Sequence, residues 1–455
     1  MYKSLFLKNG RIIDPSQKID SVGSLLISNG KIQNLLLNNV NSASIPKDCL
    51  IIDCEGMIIC PGFIDLHTHL REPGFEYKET ISSGALAAAK GGFTTICSMP
   101  NTNPCPDNAS IVRDLIKIGD NTKLRILPIG CITINRKGES IVEMSDLAQA
   151  GVIGFSDDGD ALKRSDLIRE ALLYSTITGL PIITHCEDPS LITGKGINEG
   201  WVSSRLGLHS SPSIAEETMV ARDIEMARLT GGKLHLAHIS TEGSVRLIRD
   251  AKKRKINITA EATPHHILLS EDWIMGWAEN EEKNLTGPSI LSYVTKNTYD
   301  TNSKVSPPLR AKKDSQAILG AINDGTIDVI ATDHAPHSYF DKATTWDDAA
   351  VGISGLETAL GLLMTAANKK LLTLDRMISS LTTGPVSVLG LKWKELESLK
   401  ENTIADITII NPHKKWMVDS SLFLSKGRNT PLDGMELEGK IAYTIRNGEI
   451  IYTDK

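Results

Sequence analysis

Short apolar runs recur through the middle of the chain, and a stretch with helical periodicity follows most of them. Repeated alternation of strand and helix is typical of parallel strands joined by right-handed crossovers. Eight such runs favour a closed (β/α)8 barrel over an open sheet. The predicted strands lie at 58–66, 94–97, 126–129, 152–155, 182–184, 234–237, 256–260 and 329–331.

Two of the intervening helices have recognisable boundary residues. Thr80 precedes an alanine-rich helix that Gly91-Gly92 should end. Ser213 and Glu216 have the spacing of a capping box, and Gly231-Gly232 should end the helix that follows. We therefore expect one well-defined helix between the first and second strand runs and another between the fifth and sixth.

Both ends of the chain are rich in β-type residues and hairpin dipeptides. Asn9-Gly10 and Asn29-Gly30 separate apolar runs near the start, and Asn447-Gly448 does so near the end. Because the termini of a domain often lie close together, we expect both ends to build one small β-sandwich. The predicted division assigns 1–57 and 402–455 to the β domain and 58–401 to the barrel.

Two polar segments interrupt the alternation. Residues 272–303 form a predicted long excursion between the seventh and eighth strands, and excursions of this length are often functional. Residues 339–350 have two interpretations, a lid over the site or an ordinary surface loop.

Composition excludes several classes of protein. The 455 residues are 41% hydrophobic and 23% charged, which is typical of a globular chain rather than a disordered one. With 49 basic and 55 acidic residues the net charge is 49 − 55 = −6, so we expect no nucleic-acid partner. No apolar run reaches the ~18 residues of a membrane span, and the first residues lack a signal-peptide pattern. Seven cysteines without CxxC spacing predict reduced thiols in a cytoplasmic protein.

Ten of the eleven histidines lie between positions 67 and 337. His67 and His69 are two residues apart, so both side chains face the same side of a strand and can reach one ion. Other residues able to bind metal follow further predicted strands, and a barrel collects the carboxyl ends of its strands at one face. These candidates are Asp157 or Asp158, His185, His238 and Asp333.

This set of residues suits two metal ions. His67 and His69 can reach one ion, His185 and His238 can hold a second, and one aspartate of the Asp157–Asp158 pair can bridge them, while Asp333 supplies a further carboxylate able to ligate. A metal lowers the pKa of bound water to ~7, so hydroxide is available to attack an amide. Asp333 can then carry a proton from the water to the leaving nitrogen. The remaining histidines are expected to be supporting or exposed, namely His209, His235, His265, His266, His334 and His413.

The motifs of the chain closely resemble those of the dihydroorotases, within the amidohydrolase superfamily. The resemblance covers nearly the whole chain, and SDDG (156–159) is similar to the bacterial class in which aspartate replaces a carbamylated lysine. The other motifs are PGFIDLHTHLREPG (61–74), GGFTT (91–95), MPNT (99–102), HCED (185–188), HIST (238–241), TPHH (263–266), PPLR (307–310), ATDHAPH (331–337) and GLET (355–358).

The resemblance implies a role for each matching residue. The first zinc ion would be held by His67, His69 and Asp333, the second by His185 and His238, and Asp158 would bridge them, with Asp157 as the alternative. The substrate's carboxylate and ring would be held by His69, Arg71, Asn101, Asn302, His337, Val351 and Gly352. Arg71 suits this task because a planar guanidinium can bind both oxygens of a carboxylate.

The resemblance also implies a reaction, a substrate and partners. The expected reaction is the reversible cyclisation of N-carbamoyl-L-aspartate to (S)-dihydroorotate in pyrimidine biosynthesis, by a cytoplasmic homodimer able to associate with aspartate transcarbamoylase. The chain departs from the family at Ser306, where an asparagine is usual before PPLR. Two alternatives remain: another cyclic amidohydrolase, such as a hydantoinase or allantoinase, and a non-catalytic barrel that acts as a scaffold.

Overall fold

The computed structural model describes residues 4–37, 45–276 and 297–454. Its strands are β1 (Ser4–Asp14), β2 (Ile19–Ser28), β3 (Lys31–Leu37), β4 (Cys49–Asp53), β5 (Ile58–Pro61), β6 (Phe63–Thr68), β7 (Phe93–Ser98), β8 (Arg125–Pro128), β9 (Phe155–Ser156), β10 (Ile182–Thr184), β11 (Leu234–Leu236), β12 (Ile258–Ala262), β13 (Val329–Ile330), β14 (Ile407–Met417), β15 (Glu436–Arg446) and β16 (Glu449–Thr453). Its α-helices are α1 (Ile81–Lys90), α2 (Ala109–Asp120), α3 (Met144–Ala150), α4 (Ser165–Thr178), α5 (Trp201–Leu206), α6 (Ser213–Thr230), α7 (Glu242–Lys253), α8 (Pro264–Leu268), α9 (Asp272–Met275), α10 (Lys312–Asp324), α11 (Tyr339–Lys342), α12 (Ala359–Asn368), α13 (Leu374–Leu381) and α14 (Thr383–Leu389).

Strands β6 to β13 form a ring of parallel strands in chain order. β6, β7 and β8 pair in one sheet, and β9 to β13 pair in a second sheet. Parallel bridges between Gly130 and Phe155 and between Thr68 and His334 join the two sheets at both seams. Apolar side chains such as Ile64, Cys97 and Val329 fill a buried core within the ring. The predicted (β/α)8 barrel is confirmed.

Strands from both ends of the chain form one eight-stranded sheet, in the order β16-β15-β14-β5-β1-β2-β3 with β4 beside β1. The fold class is therefore α/β, a barrel joined to a small β-sandwich made by the two terminal segments. One boundary differs from the prediction at residue 57. β5 pairs with β1 and β14 rather than with a barrel strand, so the terminal sheet extends to Pro61. Gly62 separates the two strands of the predicted 58–66 run, and a Cβ there would lie 2.3 Å from Thr94 Oγ1.

Both predicted helix ends are confirmed, at Gly91 and Gly231, but only one of the two predicted N-terminal caps is. Thr80 Oγ1 accepts a hydrogen bond from Ser83 N, and Ser83 Oγ accepts one from Thr80 N, so α1 has a true capping box. α6 begins at Ser213 itself, after Pro212, and has no side-chain cap. Glu216 instead accepts hydrogen bonds from the backbone of Ser240 and Thr241 at the end of the neighbouring strand.

The predicted excursion at 272–303 lies largely outside the described residues, which resume at 297. Its first part forms α9, and Thr301–Ser303 form a single 3-10 turn. Nowhere in the described ranges is a helix long and apolar enough to cross a membrane.

Candidate metal centre and substrate cavity

Six of the predicted residues meet at the carboxyl ends of the barrel strands. Two groups of three ligand atoms lie within 4.8 Å of one another, and His67 at the end of β6 belongs to both. The first group is His67, Asp158 and His238, and the second is His67, His69 and Asp333. His185 follows β10, and its Nδ1 lies 2.8 Å from His238 Nε2. All six residues are buried.

Asp158 lies at the middle of this cluster. One of its oxygens, Oδ2, is 3.3 Å from His67 Nε2 and 3.5 Å from His69 Nε2. The other, Oδ1, is 3.3 Å from His238 Nε2 and 3.6 Å from His185 Nδ1. Each oxygen thus faces a different pair of imidazoles, which is the arrangement that a carboxylate bridging two ions requires.

Asp157 faces away from the cluster. It accepts hydrogen bonds from Ile132 N at 2.9 Å, from Thr133 N at 3.1 Å and from Thr133 Oγ1 at 2.5 Å. Burial raises its pKa, and these donors oppose that rise. Of the two aspartates left open by the sequence, Asp158 has the geometry of a bridging ligand and Asp157 holds the loop after β8.

The donor set fits divalent metal ions. His67 Nε2 is fully buried and makes no hydrogen bond to any described residue, although two carboxylates lie within 3.5 Å of it. Burial alone would lower the pKa of His67 and raise that of Asp158. Because the two groups carry opposite charges, the pKa of His67 is instead raised and that of Asp158 lowered. Hydrogen bonds to Asp158 and Glu187 overcome burial and raise the pKa of His185 to about 10. Imidazole nitrogens and carboxylate oxygens at this density are the ligands that zinc uses in catalytic sites.

Asn101 orients one of the imidazoles. Its Oδ1 lies 2.8 Å from His69 Nδ1, while His69 Nε2 lies 3.0 Å from Asp333 Oδ1. If Nδ1 donates to Asn101, Nε2 is left with a lone pair that faces the cluster. Asn101 therefore supports a candidate ligand as well as lining the cavity beside it.

Three residues of the site have strained backbone conformations. Arg71, His238 and Asp333 have φ values of 62°, 32° and 47°, in the left-handed region that non-glycine residues rarely adopt. Such conformations cost ~1–3 kcal/mol each and persist where surrounding structure enforces them. Here they lie at or just after the ends of β6, β11 and β13, at the mouth of the barrel.

A cavity of about 410 Å³ opens above the cluster. It brings together candidate ligands and most of the predicted substrate contacts. The predicted residues that line it are His69, Arg71, Asn101, Asp158, His185, His238, Asp333, His337, Val351 and Gly352.

Arg71 and Lys78 form the cationic side of this cavity, and His337 lies between them. Arg71 Nε donates to Pro336 O at 3.3 Å, and its Nη2 lies 3.3 Å from His337 Nε2. Burial lowers the pKa of Arg71 to about 10. Burial and the charges of Arg71 and Lys78 hold the pKa of His337 far below its usual value, so its ring is neutral. His337 Nε2 can therefore donate to Val351 O at 2.9 Å while Nδ1 accepts from Lys78 Nζ at 3.2 Å.

The backbone at Gly352 is held from two sides. Its N–H donates to Lys304 O at 2.8 Å, and its carbonyl accepts from Asn429 Nδ2 at 2.9 Å and Lys342 Nζ at 3.1 Å. Its φ is 143°, and a Cβ there would lie 2.6 Å from Ala335 Cβ, so only glycine fits. The predicted ring contact at Gly352 must therefore use backbone atoms that the protein already positions.

The structure does not bring Asn302 into this cavity. Asn302 lines a neighbouring cavity of about 600 Å³. His337 lines both cavities. Ser306, the departure from the family pattern, does line the main cavity, and its hydroxyl donates to Glu187 Oε2 at 2.5 Å.

The segment 339–350 is tied down by two buried lysines. Lys342 Nζ donates to Ala350 O at 2.8 Å, and Lys304 Nζ donates to Ala349 O at 2.8 Å. Burial lowers the pKa of Lys342 to about 7. Tyr339 and Phe340 at the start of the segment are exposed. Both interpretations of the segment, lid and surface loop, remain open.

Three residues near the site escaped the sequence analysis. Glu261, inside β12, contacts His67 Nδ1. Lys78 contacts His337, and Asn429, far along the chain, accepts from the His337 backbone N–H at 2.9 Å. Only Glu261 carries a local signal, since it is a lone acidic residue within an apolar strand.

Solved structures with the same fold are cyclic amidohydrolases. The L-hydantoinase (dihydropyrimidinase) of Arthrobacter aurescens matches all of this chain and 96% of its own, with a TM-score of 0.84 and 22% identity. The dihydropyrimidinase of Brevibacillus agri NCHU1002 matches 99% of this chain and 95% of its own, with a TM-score of 0.80 and 17% identity. These likenesses support the fold alone, a barrel joined to a small β domain.

Sequence relatives are much more similar. The family described as dihydro-orotase-like matches residues 56–244. A dihydroorotase of Syntrophus aciditrophicus is 43% identical over 99% of both chains, and one of Caldanaerobacter subterraneus subsp. tengcongensis is 42% identical over 98% of this chain and 97% of its own. The chain belongs to the dihydroorotase family.

Proposed function

We propose that the chain catalyses the reversible ring closure of N-carbamoyl-L-aspartate to (S)-dihydroorotate. One observation carries the proposal. A cluster of four imidazoles and two carboxylates opens into the same cavity as Arg71, Asn101 and His337. The substrate needs both parts, because it presents an amide to be made or broken and a separate carboxylate to be recognised.

The metal centre would contain two zinc ions. His67, His69 and Asp333 would hold one, His185 and His238 would hold the other, and Asp158 would bridge them, as its two oxygens suggest. When bound, such ions supply Lewis acidity and make hydroxide available at neutral pH. The buried, unpaired Nε2 of His67 is the feature that most favours a bound ion here.

Arg71 would bind the substrate carboxylate. Its Nε donates to Pro336 O, and His337 Nε2 donates to Val351 O rather than accepting from Arg71, so neither contact engages the terminal nitrogens of the guanidinium. Asn101 would add an amide donor, since its oxygen is engaged by His69. His337 would present a neutral ring, which avoids a third positive charge beside Arg71 and Lys78. Val351 and Gly352 would line the face of the ring, and a contact from Asn302 stays a prediction.

Asp333 would move the proton. The charge of His67 and the hydrogen bond from His69 outweigh burial and hold the pKa of Asp333 far below its usual value, so its carboxylate is ionised at neutral pH. In the hydrolytic direction it takes a proton from the attacking water and delivers it to the leaving ring nitrogen. In the biosynthetic direction the same carboxylate takes the proton from the attacking nitrogen as the C–N bond forms and gives it to the departing oxygen, which leaves as water.

A second candidate is hydrolysis of another cyclic amide, favoured by the structural likeness to hydantoinases. Arg71 argues against it, because hydantoin carries no carboxylate for a buried guanidinium to bind. The strand-four end also lacks a lysine, since Lys163 lies five residues beyond Asp158 and lines a different cavity.

The test is turnover by zinc-loaded protein on dihydroorotate, hydantoin and allantoin in parallel. We expect turnover of dihydroorotate in both directions and at least ~100-fold lower kcat/KM on the other two, because a buried cation left without its carboxylate is costly. Preference for hydantoin or allantoin would contradict the proposal. Absence of any turnover in metal-loaded protein would favour a scaffold.

We further propose that the enzyme is a cytoplasmic homodimer able to associate with aspartate transcarbamoylase. The family resemblance motivates both statements, and the free thiols of all seven cysteines agree with a reducing compartment. Light scattering of the purified protein, alone and with aspartate transcarbamoylase, tests the assembly.

A further inference from the structure

Glu261 lies directly beneath the metal cluster and joins two histidines. Its Oε1 is 2.6 Å from His67 Nδ1, and its Oε2 is 3.1 Å from His235 Nε2. His235 Nδ1 in turn lies 2.8 Å from Thr259 Oγ1. The side chains of Glu261, His67 and His235 are all fully buried, so these contacts are sheltered from water.

The Glu261 carboxylate selects one tautomer of the neutral His67 ring that a metal ligand must have. An ionised carboxylate only accepts, so His67 Nδ1 and His235 Nε2 each donate to it. In the neutral ring His67 Nε2 is then the lone pair, and it is the atom that faces Asp158 and Asp333. His235 Nδ1 lies within hydrogen-bond distance of the Thr259 hydroxyl.

We propose that Glu261 is a positioning residue that holds His67 in the tautomer and ring orientation needed to ligate metal, and that His235 holds Glu261 in turn. A carboxylate behind a ligating imidazole raises the basicity of the ligand and prevents rotation of its ring. His235, a supporting residue by its position in the strand, thereby acts on the metal through two hydrogen bonds. This inference rests on the metal centre of the proposed function.

The test measures metal binding in the absence of substrate. Metal-free wild type, Glu261→Gln and His235→Gln compete with a chromophoric chelator for Zn²⁺, and the visible spectra of their Co²⁺ forms are compared. We expect Glu261→Gln to weaken zinc affinity by roughly 10- to 100-fold and to alter the Co²⁺ spectrum. We expect His235→Gln to weaken affinity less, because the Glu261–His67 bond survives.

Asp14→Asn is the matched control. Asp14 is a fully buried carboxylate in the terminal sheet, where it accepts hydrogen bonds from Leu399 N and Ser398 Oγ. Its substitution should lower the melting temperature and leave zinc affinity and the Co²⁺ spectrum unchanged. Wild-type zinc affinity in Glu261→Gln, or equal losses in Glu261→Gln and Asp14→Asn, would overturn the positioning role. Failure of the wild type to bind metal would instead overturn the proposed function.

Discussion

Replacing Arg71 with lysine tests substrate recognition while keeping the positive charge. Arg71 is buried, and its Nε donates to Pro336 O while its terminal nitrogens remain for a substrate carboxylate. Lysine has a single donor head, so it cannot both keep the Pro336 contact and bind two oxygens of a carboxylate. A hydrogen bond to a charged group contributes ~1.5–3 kcal/mol, so losing one should raise KM by roughly 10- to 150-fold.

The assay is steady-state kinetics on N-carbamoyl-L-aspartate and dihydroorotate, with zinc content measured on the same samples. We expect KM to rise for both substrates, and kcat to change by less than ~3-fold because Arg71 does not touch the bond that reacts. Zinc content should stay at the wild-type level. An unchanged KM, or loss of zinc together with activity, would refute the assignment of Arg71 to the carboxylate.

Four further substitutions test separate parts of the account. Asp333→Asn should abolish turnover while the protein folds and retains some metal, which kinetics, circular dichroism and elemental analysis check together; near wild-type activity would exclude its acid–base role. Asp158→Asn should lower zinc content and kcat. Asp157→Asn should instead lower the free energy of unfolding by ~1–3 kcal/mol and leave kcat unchanged. The reverse pattern would show that the two aspartates have exchanged roles. Lys342→Met should remove a pH dependence of stability. The pKa of Lys342 is about 7 in the folded protein and its ordinary value is 10.5, so between these values the unfolded chain binds one more proton than the folded chain. The free energy of unfolding of the wild type should therefore rise with pH across that window, by up to ~1.4 kcal/mol per pH unit. Urea unfolding of both proteins at the two ends of the window measures it, and parallel curves would contradict the prediction.

The sequence predicts the barrel and the metal cluster because both depend on local patterns. Five of the eight apolar runs end near a residue of the cluster, and barrel closure alone brings those ends together. His67 and Asp333 could therefore be assigned to one site without knowing any contact between them. Local patterns could not choose between Asp157 and Asp158, since that choice depends on which carboxylate Thr133 engages.

Contacts between distant segments account for what the sequence could not predict. Glu261 and His67 are 194 positions apart, and Asn429 and His337 are 92 apart. Glu216 has the spacing of a capping box, but its carboxylate accepts hydrogen bonds from four buried donors of Ser240 and Thr241 instead. The boundary at residue 57 was misplaced because the apolar run continues across Gly62 with no change in pattern.

Zinc titration of metal-free protein, followed by the conversion of N-carbamoyl-L-aspartate to dihydroorotate, tests the central claim most directly. The cluster of four imidazoles and two carboxylates, Asp158 among them, predicts that activity rises with added zinc and reaches its plateau at about two ions per chain. Full activity in protein that elemental analysis finds free of metal would contradict the account.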